Sequence, residues 1–318
     1  MPDSTPPTAP VSSDISAAPA GPSNLRLRVI YGVLGAALLL GSVWFSPWTF
    51  GLFFAAVQAV MLWEFYRMMR AGGYAPATWI GVGTSLNIFI SAFVLLHEAH
   101  AKTESILTTL FVEVSQVTYL PYFWMLMIAV VPLSIVPVAL IVREMIAWPQ
   151  VRNPFGNVAA TMLGLIYVSV PMTFLTLIAF GGKNGYDYRR IFALLFLIWA
   201  SDIGAYAAGK TFGKHKLAPK ISPGKTWEGW AGGFVLTLVV GWALGYLLPD
   251  LPLTHRLVAA GVVAVFAPLG DLAESMLKRS VGVKDSGSIM PGHGGLLDRF
   301  DAFLLVLPVL ALLQLLAG

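Results

Sequence analysis

The chain of 318 residues has no cysteine and little charge, with Asp, Glu, Lys and Arg together making 11% of it against about 25% in soluble domains. The missing cysteine excludes disulfides, thiolate metal sites and a cysteine nucleophile. The missing charge excludes an ordinary water-soluble enzyme, because such an enzyme must cover its core with ionised groups. Hydrophobic residues make up 57% of the chain. They come in runs of about 20, the length that crosses a hydrocarbon layer of ~30 Å. The sequence reads as an all-α, polytopic integral membrane protein. A net charge of +4 does not suggest nucleic acid, since that partner needs a solvated basic face.

Residues 1–24 hold six prolines (Pro2, Pro6, Pro7, Pro10, Pro19, Pro22) among Ser, Thr and Ala. They can bury too little apolar surface to offset their ordering entropy, so a disordered tail is expected. The tail lacks the basic start and apolar core of a secretory signal. Nine apolar spans follow, at roughly 27–46, 48–66, 77–97, 122–142, 158–180, 190–209, 230–248, 256–277 and 300–317. Residues 25–190 form an N-terminal group of spans, and residues 191–318 a C-terminal group carrying the reactive side chains. The fourth span carries Pro132 and Pro137 and is predicted to kink. Before it, Ile106, Leu107, Leu110, Phe111, Val114 and Val117 recur at helical spacing among polar residues, which suggests a helix on the membrane surface.

Basic residues orient the spans. With a cytoplasmic N-terminus, the inside segments hold Arg26, Arg28, Arg67, Arg70, Arg143 and Arg152. They also hold Lys210, Lys214, Lys216, Lys220, Lys225, Lys278, Arg279, Lys284 and Arg299. The outside segments hold only Lys102, Lys183, Arg189, Arg190 and Arg256. Positive charge is retained on the cytoplasmic side, so this bias places loops 210–229 and 278–299 together in the cytoplasm. No convincing repeat relates the two halves, which weakens an inverted-repeat transporter.

Three acids stand in apolar surroundings: Asp202, Asp271 and Glu274. A bare carboxylate at membrane depth costs several kcal/mol, so each must be paired, metal-bound or beside water. On a helix, Asp271, Glu274, Ser275 and Lys278 fall on one stripe, as do Trp199, Asp202 and Tyr206. The loop after Lys278 and Arg279 carries Gly282, Gly287, Gly292, Gly294 and Gly295 beside Lys284, with His293 between glycines. Glycines let the backbone approach a ligand and turn N–H groups towards oxyanions. Asp298 and Asp301 follow at the start of the last span, where a cation could bridge Asp298 to Asp271. Hard carboxylates without cysteine suit Mg²⁺, and Mg²⁺ beside basic residues suits phosphate. In the other loop, Ser222, Pro223, Gly224, Lys225 and Thr226 suggest a built, anion-binding turn rather than a plain topogenic loop.

Gly204 to Thr211 matches the P-loop pattern, but a P-loop must follow a strand and keep its backbone amides free. Here the stretch continues an apolar helix, so an ATPase is rejected and Lys210 is kept only as a phosphate contact. Glu64 and Glu144 are adequately explained by pairing with Arg67 and Arg143. The ten Trp near span ends read as interfacial anchors.

Ser275 to Arg279, Lys284-Asp285, Pro291 to Gly295 and Asp298 to Asp301 together resemble the C-terminal signature of the phosphatidate cytidylyltransferases, or CDP-diacylglycerol synthases. Ser222 to Gly229 resembles a second family motif, and Asp202 with Tyr206 and Gly209 a third. The resemblance covers roughly residues 199–301. It implies a dimeric membrane enzyme, Mg²⁺-dependent and facing the cytoplasm, that condenses CTP with phosphatidic acid to CDP-diacylglycerol and pyrophosphate. By that likeness Asp271 and Asp298 are the metal-binding aspartates, with Asp202 and Asp301 as secondary groups or holders of a second cation. Lys225, Lys278, Arg279 and Lys284 would neutralise phosphates. Ser222, Lys210, Gly292, His293, Gly294 and Arg299 would contact substrate. A bacterial inner membrane is the expected location. The alternatives are a cation-coupled transporter using Asp202, Asp271 and Glu274, and a sister enzyme activating another lipid phosphate.

Overall fold

The computed structural model describes residues 24–108, 120–182, 185–287, 289 and 294–317. The expected disordered tail, the 109–117 part of the surface helix, and Gly292 and His293 lie outside them.

A helix stands at each of the nine expected places. They are α1 (Asn24–Phe45), α2 (Pro47–Ala71), α3 (Thr78–Thr108), α4 (Leu120–Ile146), the pair α5 (Pro154–Gly164) and α6 (Val170–Ala179), α7 (Tyr188–Phe212), α8 (Trp227–Ala243), α9 (Leu253–Ser280) and α10 (Leu297–Ala317). Among the described residues seven of these are long and apolar enough to cross a membrane, α5 and α6 counting as one span, against the nine expected from the whole sequence. Residues Val29–Phe45 of α1 form a shorter apolar helix. The fourth span is a single helix through Pro132 and Pro137.

Local chemistry sets the helix boundaries. Ser46 caps α2, its hydroxyl accepting from Thr49 N at 3.1 Å, and Pro47 occupies the first turn, where a missing N–H costs nothing. Between α5 and α6 five residues, Leu165–Ser169, widen into a π-turn just before Pro171. Proline cannot supply the amide an α-turn requires there, and the wider turn absorbs the loss.

Helix α2 lies at the centre of the core, with Phe50, Phe54, Met61, Leu62, Phe65 and Tyr66 fully buried. Lipid tails are as apolar as leucine, so polar cross-links do much to fix which helices meet. Gln58 donates to Ser85 O at 3.0 Å and Oγ at 2.7 Å, and Ser169 bonds the same hydroxyl at 2.8 Å, joining α2, α3 and the π-turn. Tyr66 OH donates to Thr161 O at 2.8 Å. Glu144 pairs with Arg143 at 2.5 Å, as expected, and also accepts from Asn157 at 2.9 Å.

Candidate active site

The C-terminal helices are drawn together by small residues. A Cβ on Gly204 of α7 would come 2.7 Å from the Gly232 carbonyl, and one on Gly233 of α8 would come 2.7 Å from that of Ser201. The helices thus meet backbone to backbone, as glycine seams allow in membranes. Between them loop 210–229 forms an antiparallel hairpin of β1 (Lys216–Ala218) and β2 (Ser222–Thr226), pairing Lys216 with Thr226. Thr226 then caps α8 by accepting from Gly229 N at 3.1 Å. Glu228 accepts from Lys214 N at 3.1 Å and contacts the His215 ring at 2.5 Å, fixing the hairpin's entry. The stretch Gly204 to Thr211, which matches the P-loop pattern, is helical throughout inside α7, as expected.

This hairpin closes a cavity of about 470 Å³ whose walls include Asp202, Tyr206, Lys210, Lys225, Trp230 and Asp271. Pro268 shapes its floor. Having no N–H, it leaves the Ala264 carbonyl of α9 without its helical donor, and the Trp230 indole donates there at 3.2 Å. The Lys225 ammonium donates to the Pro268 carbonyl at 3.2 Å and pairs with Asp271 at 2.7 Å. The other Asp271 oxygen accepts from Ser275 at 3.2 Å. Lys210 stands 5.6 Å from the Tyr206 ring centroid, a cation–π distance.

A second cluster lies two turns along α9. The Lys278 ammonium donates to Glu274 at 2.7 Å and to Asp298 at 2.6 Å, with both Glu274 and Lys278 buried. Asp298 also accepts from Ser286 N at 3.1 Å, Ser286 Oγ at 2.9 Å and Gly295 N at 2.8 Å. It thereby fastens both ends of the glycine-rich loop to the start of α10. Gly294, with φ +79°, takes a left-handed turn that only glycine adopts without strain. A Cβ there would also come 2.9 Å from Asp298.

Glu64 corrects the sequence reading. It is fully buried and accepts from Leu297 N at 2.8 Å and Ser286 Oγ at 3.4 Å, rather than pairing with Arg67. Arg67 donates to the Ser286 carbonyl at 3.2 Å instead. Both side chains of α2 therefore hold the loop, and the acid at the start of α10 also suits that helix's positive end. Sequence pairing at i, i+3 missed this because the partners are more than 200 positions away. Replacing Glu64 with Ala should strand the Leu297 N–H and destabilise the protein by about 1–3 kcal/mol. A lowered midpoint of thermal unfolding would show it, and Glu64→Gln should recover part of the loss.

Other expected residues are spread around these clusters. Asp301 accepts from Ala302 N at 2.7 Å. It lies beside Gly270, where a Cβ would come 2.6 Å from its carbonyl oxygen. Asp202, Asp271 and Asp301 lie close enough to feel one another's charge, with Lys225 acting on Asp202 and Asp301 too. Among the described residues no three His, Asp or Glu side chains converge on one point as a metal cage. Asp271 and Asp298 are engaged by different lysines and share no described hydrogen bond. Arg279, Lys284 and Arg299 are exposed and outside the cavity walls, Arg279 donating to Val283 O at 3.3 Å. Ser222 lies on β2, also outside the walls. Thr226, expected in the anion-binding turn, lines the cavity, and so does Trp230, which was expected only as an interfacial anchor.

Residues 26–316 match the model of the cytidylyltransferase family. The chain belongs to that family. It is 44% identical over 162 residues to the phosphatidate cytidylyltransferase of Bacillus subtilis (strain 168), a stretch that is 50% of this chain and 60% of that protein. Against the phosphatidate cytidylyltransferase of Staphylococcus aureus (strain COL) it is 39% identical over 181 residues, 57% of this chain and 68% of the relative. The corresponding protein of Staphylococcus haemolyticus (strain JCSC1435) is 37% identical over 181 residues. The match to the Bacillus protein thus spans less than two thirds of that relative's length.

Proposed function

We propose that the protein is a phosphatidate cytidylyltransferase of a bacterial inner membrane, taking CTP and phosphatidic acid to CDP-diacylglycerol and pyrophosphate. The observation that carries this reading is the Lys225–Asp271 pair in a cavity walled also by Asp202 and Lys210. It places acid and base together at the loop end of apolar helices, where a lipid phosphate and a nucleotide can meet. The relatives' names support the substrates.

In the proposed reaction an oxygen of the phosphatidic acid phosphate attacks the α-phosphorus of CTP in line. The α–β bridging P–O bond breaks, and its electron pair leaves with pyrophosphate. A phosphate monoester is already anionic near neutral pH, so no strong base is needed and catalysis is positioning plus charge neutralisation. Lys225 and Lys210 would meet phosphate oxygens inside the cavity, while Arg279, Lys284 and Arg299 would supply positive charge around the glycine-rich loop. Lys278 acts by holding Asp298 and the loop.

The acids present fit Mg²⁺, which needs only one or two carboxylates and completes its shell with water and substrate phosphate. Asp271 and Asp298 are the proposed ligands, with Asp202 and Asp301 near enough to assist or to hold a second cation. Bound there, Mg²⁺ would supply positive charge to the triphosphate. A homodimer with the site facing the cytoplasm completes the proposal.

Purified protein with CTP, phosphatidic acid and Mg²⁺ should release pyrophosphate and form a lipid-linked cytidine, both lost on chelation. Product analysis with competing lipid phosphates tests the acceptor. Ion flux into sealed vesicles with no turnover of CTP would overturn the reading in favour of a transporter.

A further inference from the structure

A second cavity, of about 560 Å³, opens at the other end of the same helices. Chain direction fixes its place. Arg190 and His255 stand in the first turns of α7 and α9 and Gln314 near the end of α10, whereas Lys210 and Lys278 stand in the last turns of α7 and α9. From Arg190 to Lys210 the helix rises ~30 Å at 1.5 Å per residue, one hydrocarbon thickness. The two cavities therefore belong to opposite membrane faces.

Its walls are mainly apolar and rich in leucine, including Leu194, Leu197, Leu310 and Leu313, while Arg190, His255 and Arg256 form its polar rim. Most polar groups nearby are already engaged. Asp187 and Asp250 both pair with Arg189, at 2.8 and 3.6 Å. Arg256 donates to the Leu251 and Trp242 carbonyls at 3.1 and 3.0 Å. Gln314 donates to Leu177 O at 2.9 Å. Arg190 is not so engaged: its Nε is buried and has no hydrogen-bond partner among the described residues. A guanidinium nitrogen buried without an acceptor is costly, and Arg favours paired phosphate oxygens.

We infer that this cavity binds an anionic phospholipid of the leaflet opposite the Lys225–Asp271 cavity, its phosphate on Arg190 and one acyl chain along the leucine walls. The volume suits such an occupant, lying within the roughly 300–1,000 Å³ of small-molecule sites. A free phosphate would leave the leucine walls wet. A zwitterionic lipid would bring its own cation to a rim that is already positive. The inference does not rest on the proposed reaction.

The test uses the full chain purified in detergent, with phosphatidylglycerol or phosphatidylcholine of identical acyl chains added. A ligand that binds only the folded state raises its unfolding temperature. Phosphatidylglycerol should raise it more than phosphatidylcholine, and native mass spectra should show at least fivefold more of the anionic lipid retained. Arg190→Gln should abolish both preferences. Leu313→Trp, which fills the cavity and keeps the arginine, should abolish retention of either lipid. Equal effects of the two lipids on the wild-type protein would overturn the inference, as would a preference surviving in Arg190→Gln. Neither readout involves CTP, so a failure here is separate from a failure of the cytidylyl transfer.

Discussion

Asp271→Asn should lower CTP-dependent turnover at least about a hundredfold, the usual scale for deleting one preorganised electrostatic contact. Asn keeps the shape, and its amide oxygen can still accept from Ser275. What it loses is the charge that Lys225 answers at 2.7 Å and that a cation would require. The Asp271 side chain is 45% exposed on the cavity wall, so the substitution should leave the unfolding temperature nearly unchanged. Turnover and thermal unfolding measured on the same preparation separate the two effects. Turnover within about threefold of wild type would end the metal assignment, because one lost ligand charge cannot be that cheap. The Mg²⁺ concentration giving half-maximal turnover should also rise, a shift that mere loss of folded protein does not produce.

The largest effect on stability should come from Lys278→Met. Methionine fills most of the lysine's volume but leaves Glu274, 1% exposed, and Asp298 facing each other without a cation. Breaking a buried pair from one side costs about 3–5 kcal/mol, and here two acids lose one partner. Thermal unfolding in detergent should show a large drop in midpoint. Adding Glu274→Gln to Lys278→Met should recover part of it, because the second change removes one stranded charge. Unfolding of Lys278→Met at the wild-type midpoint would show that the triad does not hold α9 to α10. Turnover should fall as well, since Asp298 carries the Ser286 and Gly295 contacts that shape the loop.

Much of the fold is legible in the residues because a bilayer imposes simple demands. A helix occupies each of the nine expected places, since apolar runs of that length have few other stable forms in lipid. The fifth shows why boundaries are harder. Its pattern reads as a single span, and only the structure reveals the π-turn ahead of Pro171. The β1–β2 hairpin was legible only as a built turn, since eight strand residues among lysines and glycines carry no two-residue alternation.

The site divides in the same way. The acids at membrane depth, the glycine-rich loop and the Lys225 turn stand out in the sequence because charge and glycine are conspicuous in an apolar chain. Their partners do not. Glu64 looks settled by a neighbour three residues on, yet it bonds Leu297 and Ser286. Trp230 passes for an interfacial anchor, yet Pro268 frees the carbonyl its indole uses. Neither arrangement has a local signature, because hydrogen bonds between helices depend on docking that the periodicity of one helix does not encode.

By itself the sequence determined the membrane class, the places of the helices and the residue types able to handle phosphate. Each follows from composition or local spacing, which lipid and backbone geometry act on directly. Tertiary structure alone decided that Lys225 meets Asp271, that Lys278 joins Glu274 to Asp298, and that α2 reaches across to hold the loop. Those outcomes were set by the close approach of glycine-lined helices, where short-range hydrogen bonds choose among many carboxylates and cations of equal chemical promise.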